Sequence, residues 1–177
     1  RCTKLNMITF PTSLRHIESS FLGCSGLTEI HLNEGLEVIG AEAFKDCRNL
    51  KTFKIPKSVK HIGAHAFRDC KCLKNLAFPS SLETMGENAF AYCKGLETIE
   101  FDEQCELRII SKRSFFMCKG LRQVTGLPEK LTKIQSEAFA YCSQLGLCDL
   151  PPGVRTIEKW AFSFCKNLDA IKPPQEA

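Results

Sequence analysis

Apolar positions along this chain recur at an interval of 22–25 residues. Between Leu50 and Cys70 they are Leu50, Phe53, Ile55, Val59, Ile62, Ala66, Phe67 and Cys70. One unit earlier the same skeleton reads Leu27, Ile30, Leu32, Leu36, Ile39, Ala43, Phe44 and Cys47. One unit later it reads Leu73, Leu76, Phe78, Leu82, Met85, Ala89, Phe90 and Cys93. A unit this short cannot bury its apolar face alone, so tandem copies must stack, and a solenoid is predicted.

Each unit divides into three parts. Apolar residues two apart, such as Ile30 and Leu32 or Phe53 and Ile55, predict a strand with one buried face. A breaker often follows, as at Pro11, Pro56, Pro79, Pro128 and Pro151, and proline both withholds a ladder donor and turns the chain. A second β-prone stretch comes next, Leu36 to Ile39 or Val59 to Ile62. The unit closes on Ala-Phe-x-x-Cys, which predicts one helical turn with Phe and Cys on the same side. Stacked ~4.8 Å apart in parallel, about seven such coils make a rod roughly 34 Å long. Its inner column is Phe44, Cys47, Phe67, Cys70, Phe90, Cys93, Phe115, Cys118, Phe139, Cys142, Phe162 and Cys165. The solenoid is placed at residues 1–171. Residues 172–177 lack the pattern and read as a tail or linker. The abrupt start at Cys2 reads as a piece cut from a longer repeat protein. Two extra residues between Phe101 and Phe115 predict a protruding loop that opens on Asp102, Glu103 and Gln104.

Composition adds limits. The chain is 44% hydrophobic and 25% charged, with a net charge of +4. No apolar run approaches the ~18 residues of a membrane helix. The basic residues are scattered among acids rather than striped, which argues against nucleic acid as the partner. Eleven cysteines invite metal or redox chemistry. There is no C-x-x-C, only Cys70-Lys-Cys72, so zinc ligation is not expected. His61 and His65 are separated by Gly63 and lie off any continuous helix. The register cysteines read as small buried hydrophobes, and Cys105, in the insertion, is expected to be the exposed, reactive thiol. No nucleophile, base and acid converge in the pattern and no phosphate loop occurs, so neither enzyme activity nor a cofactor is expected.

The repeat L-x-x-[IFL]-x-[LFI]-P-x-x-[LV]-x-x-I-G-x-x-A-F-x-x-C resembles the BspA-like, or Treponema pallidum type, leucine-rich repeat. Ile62-Gly63, Ala66-Phe67 and Cys70 stand at the family offsets. Ser20 and Ser114 depart from its Ala. The resemblance implies a β-rich α/β, right-handed solenoid with a parallel sheet on its concave side, a second short strand and a short helical turn per coil. It also implies a cell-surface or extracellular setting and an adhesin-like, protein-binding role.

Residues flanking the buried position of each first strand should line the concave face. One column includes Glu29, Thr52, Asn75, Thr98 and Gln123 before it ends on Leu147; the other includes His31, Lys54, Glu100 and Thr125. With Asp102 at the insertion, the polar residues named are the candidate contacts to a protein partner. They lack the Trp, Tyr and Arg of usual hot spots. A spacer without its own ligand, and a cytoplasmic regulatory interaction module whose thiols stay reduced, are the alternatives. At the far end Trp160 is expected to shield the last coil or to touch a neighbouring molecule.

Overall fold

The computed structural model describes residues 2–169 and 171. The chain winds through seven coils, numbered here by their ladder phenylalanines, Phe21 in coil 1 to Phe162 in coil 7. The first strands of the coils are β1 (Met7–Thr9), β3 (Glu29–His31), β5 (Thr52–Phe53), β7 (Asn75–Phe78), β9 (Thr98–Phe101), β11 (Gln123–Thr125) and β13 (Leu147–Cys148). The second strands are β2 (His16–Ile17), β4 (Val38–Ile39), β6 (His61–Ile62), β8 (Thr84–Met85), β10 (Ile109–Ile110), β12 (Lys133–Ile134) and β14 (Thr156–Ile157). All pairing is parallel and coil to coil, as at Ile30 on Phe53 and Leu76 on Ile99. The result is the stacked solenoid that the sequence pattern predicts, of the right-handed leucine-rich-repeat type that the resemblance implies.

Neither ladder is continuous. The first strands form two sheets, β1-β3-β5 and β7-β9-β11-β13, and the second strands form β2-β4-β6-β8 and β10-β12-β14. The second break coincides with the insertion that begins at Asp102. That loop is compact. Gln104 N–H donates to Asp102 Oδ1 at 3.0 Å and Cys105 N–H to the Asp102 carbonyl at 2.9 Å. The turn folds Cys105 inward, where it is 1% exposed and its thiol faces the Leu82 carbonyl at 3.6 Å. The expectation of an exposed, reactive Cys105 is therefore corrected. Burial pushes its thiol pKa up.

The Ala-Phe-x-x-Cys segment is a run of turns, and no helix occurs among the described residues. Bonds three residues back are present, as from Cys47 N–H to the Phe44 carbonyl at 3.1 Å. Two residues in each of coils 2–7, however, take positive φ, for example His65 at 58° and Asp69 at 63°, and coil 1 has one, Gly23. They flip alternate peptides outward to the next coil. Glu42, Phe44 and Asp46 N–H donate to the carbonyls of Ala64, Ala66 and Arg68 at 2.8–2.9 Å. One isolated helical turn gains little, so this third inter-coil ladder wins.

Inside it runs a stack of phenylalanine rings from Phe21 to Phe162. Neighbouring centroids are 5.1–5.6 Å apart and the rings lie within 18° of parallel. Beside it each register thiol, from Cys47 to Cys165, donates to the Phe carbonyl of the preceding coil at 3.2–3.3 Å. Cysteine suits this position because it is a small apolar residue with one weak donor. Ser114, which replaces the family Ala, is fully buried and donates to the Ser111 carbonyl at 2.6 Å. Gly63 and Gly86 have no room for a side chain. A Cβ on Gly86 would lie 2.3 Å from the Ala64 nitrogen of the adjacent coil.

Two expectations concern the C-terminal end. Trp160 does not shield the last coil. It is 61% exposed, with Lys159 Nζ 5.0 Å from its ring centroid. The expected tail, residues 172–177, lies outside the described residues.

Candidate partner-binding surface

The first-strand ladder fixes its outward side chains at the strand spacing. Glu29 pairs in register with Thr52, Asn75 with Thr98, and Thr98 with Gln123. Glu100 stands beside Thr125 in the second column. His31 Nε2 meets Glu29 Oε1 at 2.9 Å, and Thr98 Oγ1 donates to Asn75 Oδ1 at 2.8 Å. Lys54 lies just beyond β5, and its ammonium is 3.9 Å from Glu34 Oε1. Ion pairs this exposed contribute little to stability.

Two shallow hollows open on this face. One, of about 560 Å³, is lined by Lys54, Asn75, Thr98, Glu100 and Asp102 over a floor of Phe53, Phe78 and Phe101. The other, of about 820 Å³, is lined by Glu29, His31, Thr52, Lys54 and Asn75, together with Lys51, Lys71, Cys72 and Lys74. They meet where the sheet divides between β5 and β7. Eight of the ten candidate contacts are thus gathered around one place. Gln123 and Thr125 lie further along the ladder and line neither hollow. Sequence reasoning missed the lysines at residues 51, 71 and 74, because they sit at coil corners outside the alternating strand pattern.

The side chains around the two hollows are polar and charged, above a partly apolar floor. Among the described residues no three His, Cys, Asp or Glu side chains converge as metal ligands. His61 Nδ1 lies 2.9 Å from Thr84 Oγ1 of the next coil, in a hydrogen bond across the second ladder. The deeply buried thiols, the off-register Cys148 among them, are held in the protonated, unreactive form. Burial drives Cys70, Cys93, Cys118 and Cys142 well above the ordinary thiol range, and Cys47 and Cys148 to about 12.

The family model for the BspA type leucine rich repeat region matches six copies, over residues 1–107 and 104–177. The chain belongs to the BspA-type leucine-rich-repeat family. The T. pallidum leucine-rich-repeat protein is 29% identical, with a TM-score of 0.76 over 81% of this chain and 66% of that one. A leucine-rich cell surface protein of Faecalibacterium prausnitzii is 25% identical, with a TM-score of 0.67 over 99% of this chain and 61% of that one. A leucine-rich-repeat protein of Eubacterium ventriosum shares the fold at 24% identity, with a TM-score of 0.76 over 97% of this chain and 45% of that one. The chain thus spans less than two-thirds of the length of each. No curated protein matches it. BspA-type leucine-rich repeats are usually protein-interaction modules, and no described helix is long and apolar enough to cross a membrane.

Proposed function

We propose that this chain is a non-enzymatic recognition module that binds a protein partner through its concave sheet, as part of a cell-surface or secreted adhesion protein. The observation that carries the reading is the meeting of two hollows at Lys54 and Asn75, on a face whose backbone is fixed by parallel ladders. A rigid array lets several moderate polar contacts act together without paying for loop ordering. The phenylalanine floor of the first hollow adds apolar area that the polar columns lack. The surface setting is supported by the Faecalibacterium relative, a leucine-rich cell surface protein.

The test uses a partner recovered on this chain as bait. Lys54→Glu combined with Glu100→Lys inverts the charges at the hollow without touching the core. It should weaken binding at least tenfold, or about 1.4 kcal/mol, and leave the melting temperature nearly unchanged. Binding that survives this change but is lost on altering Lys60, His61 and Arg155 would move the site to the second-strand side. Failure to retain any partner under mild conditions would favour a spacer.

A further inference from the structure

The turn edge of the coils carries a second pattern, independent of the concave face. Two positions after each ladder phenylalanine the backbone takes positive φ, and the residues there are Gly23, Asp46, Asp69, Tyr92, Met117, Tyr141 and Phe164, with φ of 61–70°. Gly and Asp tolerate this conformation, whereas bulky side chains rarely adopt it. Coils 1–3 therefore use suitable residues, and coils 4–7 hold large apolar ones against local preference. Strain of this kind persists where something else depends on the side chain.

The same change unpairs a row of cations. Two residues further along stand Arg48, Lys71, Lys94, Lys119 and Lys166 in coils 2, 3, 4, 5 and 7. In coils 2 and 3 the acid neutralises the cation, Asp46 to Arg48 at 3.0 Å and Asp69 to Lys71 at 3.8 Å. In coils 4, 5 and 7 Tyr, Met and Phe take the place of the acid, and the exposed Lys94, Lys119 and Lys166 have no ion-pair partner among the described residues. In coil 5 Phe116, the neighbour of Met117, links the aromatic residues of coils 4, 6 and 7 into a continuous ridge. Tyr92 meets Phe116 at 5.6 Å, Phe116 meets Tyr141 at 5.5 Å, and Tyr141 stacks on Phe164 at 4.5 Å. Tyr141 is 37% and Phe164 60% exposed.

We infer that this ridge, with its flanking row of lysines, is a second docking surface, and that its partner is a protein segment that interleaves acidic side chains with large apolar ones. Charge complementarity sets the acids against Lys94, Lys119 and Lys166. The ridge requires apolar contact as well, so anionic charge alone is not enough. Nucleic acid fits less well, because base stacking needs free ring faces. Here Arg68 covers Tyr92 at 5.0 Å, Arg113 covers Phe116 at 5.3 Å, and Tyr141 and Phe164 each cover one face of the other. Tyr92 and Tyr141, with Arg68 and Arg113 over the ridge, are of the types that concentrate binding energy in protein interfaces.

The probe is a short fluorescent peptide in which glutamate alternates with leucine and phenylalanine, followed by anisotropy. Polyglutamate, the same peptide with glutamine for glutamate, and a single-stranded oligonucleotide serve as comparators. The intact chain should bind the mixed peptide best, and more weakly as salt rises. Tyr92→Asp with Phe164→Asp gives coils 4 and 7 the residue that coils 2 and 3 carry, restores acid partners for Lys94 and Lys166, and should cut affinity ~tenfold or more. Lys94→Glu with Lys119→Glu alters only exposed side chains and should do the same with an unchanged melting curve. Lys54→Glu with Glu100→Lys should leave peptide binding intact, which separates this surface from the concave one. No binding to the intact chain, equal binding by either ridge variant, or tighter binding of polyglutamate or the oligonucleotide overturns the proposal.

Discussion

Truncating one ring in the middle of the phenylalanine stack should be far more costly than truncating the ring at its end. Phe67 is fully buried, with Phe44 at 5.3 Å, Phe90 at 5.1 Å and Phe53 at 4.6 Å. Phe67→Ala forfeits about 3 kcal/mol of transfer free energy. The gap cannot close, because the main chain on either side is pinned: Phe67 N–H donates to the Ala89 carbonyl at 2.7 Å and Phe44 N–H to the Ala66 carbonyl at 2.8 Å. The residual cavity and the lost ring contacts raise the total to about 4–5 kcal/mol. Phe162 is only partly buried, and among the described residues its ring meets one other aromatic ring, Phe139 at 5.2 Å. Phe162→Ala should therefore cost about 1–2 kcal/mol. Urea unfolding followed by far-ultraviolet circular dichroism gives both values, with the slope of each transition checked for equality. Costs within about 1 kcal/mol of each other, or a Phe67→Ala cost below about 2 kcal/mol, would refute the pinned-stack reasoning.

The thiols supply a pH prediction. Burial raises Cys47 and Cys148 from 9.0 to about 12, so the folded state holds their protons more tightly than the unfolded state. The associated stability is full below pH 9 and is lost as pH rises from 9 towards 12. Near pH 10 each such thiol costs about 1.4 kcal/mol. The melting temperature should fall steeply above pH 9, and Cys148→Ala should flatten that fall; an unchanged slope contradicts the assignment. A thiol reagent should label Cys2 and Cys72 first in the folded protein, leave Cys105 protected, and reach all eleven after unfolding without reductant. Rapid native labelling of Cys105 would mean that the insertion turn is wrongly placed. Gly86→Ala, whose Cβ would press on the Ala64 and Gly63 backbone, should cost about 1–3 kcal/mol. Gly146→Ala, with its nearest atom at 3.8 Å, should stay within about 0.5 kcal/mol of the parent, and equal effects on thermal unfolding would contradict the close-approach argument.

The architecture was legible because the apolar period is itself the fold. Phe67 and Cys70 recur at fixed offsets, and the register Ile30 on Phe53 follows directly from aligning the units. The alternation rule also named the outward columns, so Glu29, Thr52, Asn75 and Thr98 fell where expected. It could not see the division between β5 and β7, nor the coil-corner lysines that line the second hollow. The turn segment was misread as helical because Ala-Phe-x-x-Cys carries helical spacing. Its signal lay in the column Gly23, Asp46, Asp69, residues that tolerate positive φ. Reading that column across all seven units would also have exposed the switch to Tyr92, Met117, Tyr141 and Phe164. Cys105 was judged by its place in an insertion, yet an Asx turn at Asp102 redirects it inward. Trp160 stands last in the column of Glu42, His65, Asn88, Arg113 and Glu137, and the need to cap a terminal coil is what suggests that it shields the end. It occupies the first positive-φ position of coil 7, where the equivalent Glu42 and His65 also sit on the turn edge.

The most direct test of recognition through the concave sheet is covalent footprinting of lysines and carboxylates on the chain, free and in complex with a recovered partner. Protection should concentrate on Lys54, Lys74 and Glu100, with Lys60 and Lys133 on the second-strand side modified equally in both states. Protection confined to Lys60 and Lys133, with Lys54 and Glu100 unchanged, would contradict it.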